Sequence, residues 1–198
     1  MPARVLLAFD VALKFVLVAL LAMAVAFPDS AQFEGKAMGA RALTYPLTTV
    51  IVPAAWWAFA RRRAFPTSVD ILLVLPFLID TAGNALDLYD SVDWWDDANH
   101  LVNWAILSTA AGLALRPLKL AWLNEAGLVL GFGAVTAIAW ELLEYYAFIR
   151  DSPELATAYT DTLGDLALGT TGSLFSGLAV ALWSRRSNPL PLRPSSLR

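Results

Sequence analysis

Asp80 to His100 reads DTAGNALDLYDSVDWWDDANH, six aspartates and the chain's one histidine, with an apolar segment on either side long enough to cross a bilayer. Carboxylates and imidazoles at membrane depth are costly; where they occur they face a bundle interior or a water-filled cavity, and they mark function. The stretch therefore implies two things at once. The chain is a helical membrane protein, and a polar site lies where this connection meets the bundle.

Composition agrees with the first point. Hydrophobic residues make up 58% of the 198 and charged residues 16%, with mean hydropathy +0.59, against roughly 45–50% and about 25% in soluble domains. Cysteine is absent, which excludes disulfides, zinc-thiolate sites and iron–sulfur clusters. No glycine-rich phosphate loop follows a strand and no nucleophile elbow occurs. The fold class expected is an all-α integral membrane protein, a bundle of six transmembrane helices at about 5–27, 43–60, 69–88, 99–115, 124–148 and 161–183, forming one domain over 1–184. Ala24 to Ala26 resembles a secretory cleavage site. Asp10 and Lys14 nevertheless interrupt the apolar run at i,i+4 spacing, where they can pair, so a retained first helix is expected. Residues 185–198, a Pro/Ser/Arg tail, are expected to be disordered and cytoplasmic.

Lys and Arg set the orientation, because cytoplasmic loops carry their excess. With six spans, Arg4, Arg61 to Arg63, Arg116, Lys119, Arg185, Arg186, Arg193 and Arg198 share one side, and Lys36, Arg41 and Arg150 the other. Both termini are thereby assigned to the cytoplasm. The acidic connection faces the periplasmic or extracellular side, where Trp94 and Trp95 suit an interfacial belt. The basic residues mark topology and give no ground for nucleic-acid binding.

In that topology every strong polar cluster falls at one depth. On helix three Asp80, Asn84 and Asp87 recur at i, i+4, i+7, with Asp80 about 16 Å along from Val69, near mid-membrane, and Pro76 frees a carbonyl one turn before it. Helix four opens with Asp97, His100 and Asn103 on one face. Helix five ends with Glu141 and Glu144 at i,i+3, and helix six begins with Asp161 and Asp165 at i,i+4. Small residues indicate the packed faces: Gly169, Gly172 and Ser176, with Ser173 and Gly177, on helix six, and Gly127, Gly131, Ala134 and Ala137 on helix five. Both acidic pairs are thus expected to face inward. Asp90, Asp93 and Asp96 are assigned to a solvated loop, Glu125 and Trp122 to the opposite interface, and Arg150 to Glu144 or to a lipid phosphate.

The order Asp97-x-x-His100 at one helix start, Glu141-Leu-Leu-Glu144 at the next helix end, and Asp161-Thr-Leu-Gly-Asp165 followed by Gly169 and Gly172 resembles the VanZ-like group of small bacterial membrane proteins and its YjdF-type relatives of unknown function. The likeness covers about residues 80 to 180. The VanZ pattern usually has Gln where Glu144 stands and Asn before its final Gly. The resemblance implies an envelope-linked role, the parent group being tied to glycopeptide-antibiotic tolerance without an agreed reaction.

Three readings of the acids follow. In the first, Asp80, Asp87, Glu141, Glu144, Asp161 and Asp165 hold a divalent cation (Mg, Mn or Zn), since carboxylates with one imidazole are hard or borderline donors and bundles build such sites from inward Glu and His. His100, Glu141 and Asp97 would be catalytic, His100 or Glu141 as general base, with Asn84 and Asn103 as further polar lining. The bound cation would activate water or polarise an oxygen of a lipid-linked or cell-envelope substrate. In the second, Asp80 carries protons in a proton- or cation-coupled transporter or channel; the absence of an inverted repeat argues against it. In the third, the acids form a hydrogen-bonded structural network. Helices one and two are left as packing surface or as the interface of a homodimer, and membrane lipids are the remaining partners.

Overall fold

The structure, a computed structural model, describes residues 3–147 and 149–187. Six helices are long and apolar enough to cross a membrane. We label them α1 (Ala3–Ala26), α2 (Met38–Ala60), α3 (Thr67–Ala85), α4 (Trp95–Leu115), α5 (Trp122–Ala147) and α6 (Ala158–Ser187). No strand occurs among the described residues. A short helical turn, Leu88–Ser91, lies between α3 and α4.

Several boundaries differ from the sequence expectation, and the differences decide what reaches the site. Helix α2 begins at Met38, not near 43, so Arg41 becomes part of a spanning helix. It is also irregular. Pro46 sits in a 3-10 turn at Tyr45–Leu47, and Pro53 precedes a π turn at Trp56–Ala60, the usual responses of a helix to a missing backbone donor. Helix α3 ends at Ala85, three residues early, because Asp87 takes a left-handed conformation (φ 60°), which a short polar side chain tolerates at a helix end. Helix α4 begins at Trp95, so Asp96 and Asp97 lie in its first turn. Helix α6 continues through Arg185 and Arg186, which are therefore helical and not part of a loose tail; 188–198 and Phe148 lie outside the described residues.

Helix α6 lies against both α4 and α5, while α3 lies against α1 and α4. The stripe expected on α6 is its packed face: Gly169, Gly172, Ser173, Ser176 and Gly177 are all buried. Backbones approach so closely that a Cβ at Gly172 would run into the Leu101 carbonyl oxygen, and one at Gly169 into the Trp104 ring. Hydroxyls use the same closeness. Ser176 Oγ donates to the Ala105 carbonyl at 2.6 Å, and Ser108 Oγ donates to Ser173 Oγ at 2.9 Å.

On α5 the expectation holds for Ala137 and Glu141, which are buried, and fails for the two glycines. Gly127 and Gly131 meet open space, and the inward stripe is Glu125, Val129, Gly133, Ala137 and Glu141. A 3.6-residue period places either row on one face, and what decides is that Gly133 alone can admit Ser108 and Ser173 at the point where α4, α5 and α6 converge. Glu125 is buried as well, accepting from Ser184 Oγ at 3.0 Å, and is not the interfacial residue it was expected to be.

Near the arginine-rich end, Lys14 pairs with Asp10 as expected at 3.2 Å, and also with Asp70 of α3, so the first helix is tied to the third by charge. Above that pair, Leu17, Leu21, Val74 and Tyr45 form an apolar core with Phe77 and Trp140.

Substituting Gly172→Leu should force α4 and α6 apart and lower stability by about 1–3 kcal/mol, the usual range for overpacking. Gly127→Ala and Gly131→Ala should be neutral or stabilising by up to about 1 kcal/mol from helix propensity. Thermal unfolding of the three variants in detergent checks this; equal losses at 127 and 172 would contradict the assignment of faces.

Candidate functional site

Asp80 is the first group to place. It lies about 20 Å along α3 from Thr67 and about 8 Å from Ala85 at 1.5 Å per residue, a turn past the middle of the helix toward its acidic end. Burial of its carboxylate is matched by partners. Tyr45 OH donates to Oδ2 at 2.6 Å, Tyr89 OH to Oδ1 at 2.8 Å, and Arg41 Nε lies 3.0 Å from Oδ2. Asn84 Nδ2 donates to the Asp80 carbonyl at 3.0 Å and reaches Oδ1 at 3.5 Å. Tyr89 arrives because Gly83 lets the chain fold back: a side chain there would collide with Trp95 and Tyr89. Burial first, then the Asp80 carboxylate, holds the Tyr89 phenol protonated far above its usual range, so it is a fixed donor. The same return segment is clasped by Lys36 to Asp90, and that hydrogen bond keeps the Asp90 carboxyl below its ordinary value. The clasp is therefore made at neutral pH and lost as pH falls through that lowered value.

The second group surrounds His100, 7% exposed on the first turns of α4. Its Nδ1 lies 3.7 Å from Glu141 Oε1 of α5; its Nε2 lies 3.7 Å from Asp165 Oδ1 of α6 and 3.7 Å from Asp96 Oδ1, one turn before it on α4. All three separations are too long for hydrogen bonds. His100 Nδ1 is buried with no hydrogen-bond partner, as is Asn103 Oδ1. Asn103 Nδ2 donates to Asn99 Oδ1 at 3.0 Å. Glu144 stands near His100 and Glu141 as well, and 4.0 Å from Arg41. Two sets of three side chains, Asp96 with His100 and Asp165, and His100 with Glu141 and Glu144, are placed so that they could hold a metal ion.

A cavity of about 290 Å³ opens beside His100. Asp80, Asp96, Glu144, Arg41, Tyr45 and Tyr89 line its polar end; Glu141 and Asp165 stand behind the imidazole, buried, and do not line the cavity.

Of the residues singled out in the sequence, the structure brings together Asp80, His100, Glu141, Glu144, Asp165 and Asn103, with Asn84 supporting Asp80 from behind. Asp87, turned out of the helix by its left-handed backbone, is exposed, and so are Asp97 and Asp161. Asp97 and Asp161 stand close enough to interact electrostatically with each other and with Asp165, but as rim charges. The acid of the α4 start that reaches His100 is Asp96, for which the sequence predicts a solvated loop; its i,i+4 relation to His100 is the signal in the residues. Arg41 and Tyr45 were missed because helix two was set aside as packing surface. Arg41 holds the place beside Glu144 that was assigned to Arg150, and Arg150 instead pairs with its neighbour Asp151 at 2.9 Å on the surface.

Arg41→Met should leave Asp80 buried without its cation and cost about 3–5 kcal/mol, the penalty of half a buried ion pair. Adding Asp80→Asn to that variant should recover part of the loss. Asp87→Asn and Asp97→Asn, at exposed positions, should stay within about 0.5 kcal/mol. Unfolding measurements in one detergent decide, and a loss at Asp97 as large as that at Arg41 would contradict this geometry.

No curated protein and no solved structure matches the chain. Residues 9–186, nearly its whole length, match the family described as Predicted membrane protein (DUF2238), and the protein belongs to that family.

Proposed function

We propose that the Nδ1 face of His100, with Glu141 and Glu144, holds a divalent cation, and that the protein is a metal-dependent enzyme acting on a lipid-linked substrate of the cell envelope. The observation that carries this reading is the unpartnered, buried Nδ1 facing Glu141 across 3.7 Å. Two donors each about 2.0–2.2 Å from one ion can be at most about 4.4 Å apart, so the gap admits a cation without moving the chain. The two sides of the imidazole differ. Asp96 on the Nε2 side is 47% exposed and can be served by water, whereas Glu141 and Glu144 are at most 18% exposed.

Asp165 Oδ1 faces Nε2 from the other side of the ring at 3.7 Å, and a shift of about 0.6 Å would let it accept from Nε2–H and orient the ring, the carboxylate–histidine–metal arrangement common to such sites. An imidazole nitrogen among carboxylates favours Mn or Zn over Mg. Because His100 and Glu144 both border the cavity, the open coordination position faces it, where a bound cation would activate water or polarise a substrate oxygen. Asp97 and Asp161 contribute only rim charge in this reading.

The motifs shared with the VanZ-like group and its YjdF-type relatives support an envelope role. The excess of Lys and Arg at the other end of the bundle supports that end being cytoplasmic and the site facing the opposite side, which in the bacterial inner membrane that the resemblance implies is the periplasm. The apolar layer of Leu17, Leu21, Val74 and Phe77 between the site and the Asp10–Lys14–Asp70 group weighs against a transport path.

Elemental analysis of protein purified in mild detergent should find stoichiometric Mn or Zn. His100→Gln and Glu141→Gln should lose it, and Asp165→Asn should weaken affinity by about 10- to 100-fold. Absence of metal from the wild-type protein, or equal loss in Asp97→Asn, overturns the reading.

A further inference from the structure

The cavity beside His100 continues past the acids into a part that the cation does not need. It runs between α3 and α5 as far as Leu73 and Phe132, about 10 Å beyond Asp80 on one wall and about 18 Å beyond Glu144 on the other at 1.5 Å per residue. Its long axis is thus parallel to the helices, with charge at one end and an apolar shaft below. On α5 the lining residues Phe132, Thr136, Ala139 and Leu143 follow i, i+4, i+7, i+11. These same residues face outward: Phe132 is 40% exposed and Leu143 65%. Helix α5 packs along α4 and α6, and α3 along α1, α2 and α4. Trp140 reaches across the space between α3 and α5 to Phe77, with ring centroids 6.4 Å apart. In a membrane the outward faces of α5 meet hydrocarbon, so this side of the cavity opens to lipid.

We infer that the opening is a lateral portal through which the cavity takes a phospholipid from the bilayer, one acyl chain between α3 and α5 and the phosphate at the His100 end. The position of the phosphate rests on the cation reading; the chain's slot does not. A water-soluble ligand would leave the shaft beside Leu73, Phe77 and Phe132 unfilled, and a plain hydrocarbon would be pressed against the charged end lined by Arg41, Asp80, Asp96 and Glu144, a cost proteins avoid. An amphiphile lying along the helices answers both. Its head must bring oxygen. Asp80 is already met by Arg41, Tyr45 and Tyr89, and once Glu141 and Glu144 are engaged by the cation, phosphate oxygens suit the ion's remaining coordination.

The test uses the full chain in phosphatidylglycerol vesicles doped with phosphatidylglycerol that carries a diazirine midway along one acyl chain. Photolysis and peptide mass spectrometry should place adducts on Leu73, Phe77, Phe132 and Leu143. Thr136→Trp, which fills the slot, should cut them about tenfold, as a ~1.4 kcal/mol loss of binding would. Val135→Trp, on the outward face and not lining the cavity, should leave them unchanged. Adducts spread evenly over Val135, Ile138 and Leu142, or indifference to Thr136→Trp, overturn the portal. Stronger labelling of the slot by a probe lipid with a trimethylammonium head and no phosphate overturns the phosphate head. Metal content measured on the same samples separates the two readings: slot adducts without metal remove only the cation, and metal without slot adducts removes only the portal.

Discussion

Like charges cannot be crowded away from water without an answering charge. Two unit charges 4 Å apart repel by about 4 kcal/mol even at an effective dielectric of ~20, and each buried ion also loses hydration worth several kcal/mol. The bundle collects buried acids in three places. At Asp10 and Asp70 it supplies Lys14, and at Asp80 it supplies Arg41 and two phenols. Around His100 it gathers Glu141, Glu144 and Asp165, with the half-exposed Asp96 beside them, and Arg41 lies 4.0 Å from Glu144 but 3.0 Å from Asp80. A chain that provides its own counter-charge for two sets of acids, and not in the same measure for a third, gives the proposed cation its place at that third set.

The rest of the architecture serves that arrangement. Three helices can bring Asp96, Glu141 and Asp165 to one imidazole only if their backbones come close, and Gly133, Gly169 and Gly172 permit it where any side chain would collide. Serine hydroxyls then fix the sliding register between α4 and α6. On the other side of the cavity, Gly83 and the left-handed Asp87 turn the chain back so that Tyr89 covers Asp80. The irregular α2 sends Arg41 and Tyr45 to the same carboxylate. Looser packing between α3 and α5 leaves the space that becomes the cavity.

Much of this was legible in the residues. Hydropathy alone marks six spans, and the small-residue spacing on α6 identifies its packed face, because only Gly, Ser and Ala allow backbone contact in lipid. His100, Glu141, Glu144, Asp165 and Asp80 stand out as acids or imidazole with no place in hydrocarbon. Other features were hidden for physical reasons. Asp96 and Asp97 differ by one helical step of 100°, and the inward choice depends on how α4 is rotated against α6, which spacing does not state. Gly127 and Gly133 look alike until a neighbour's Ser173 picks one. Arg41 reads as a topology marker because its role depends on α2 starting a turn and more earlier than hydropathy suggests, and Asp87 reads as helical because a single positive φ leaves no periodic trace.

The most direct measurement is pulsed electron paramagnetic resonance on protein loaded with one equivalent of Mn²⁺. If the cation sits on His100, the spectrum should carry ¹⁴N modulation from a directly bound imidazole, replaced by the ¹⁵N pattern in protein labelled at its single histidine and lost in His100→Gln. A Mn²⁺ signal coupled only to water protons, unchanged by the isotope label and by His100→Gln, would contradict the account.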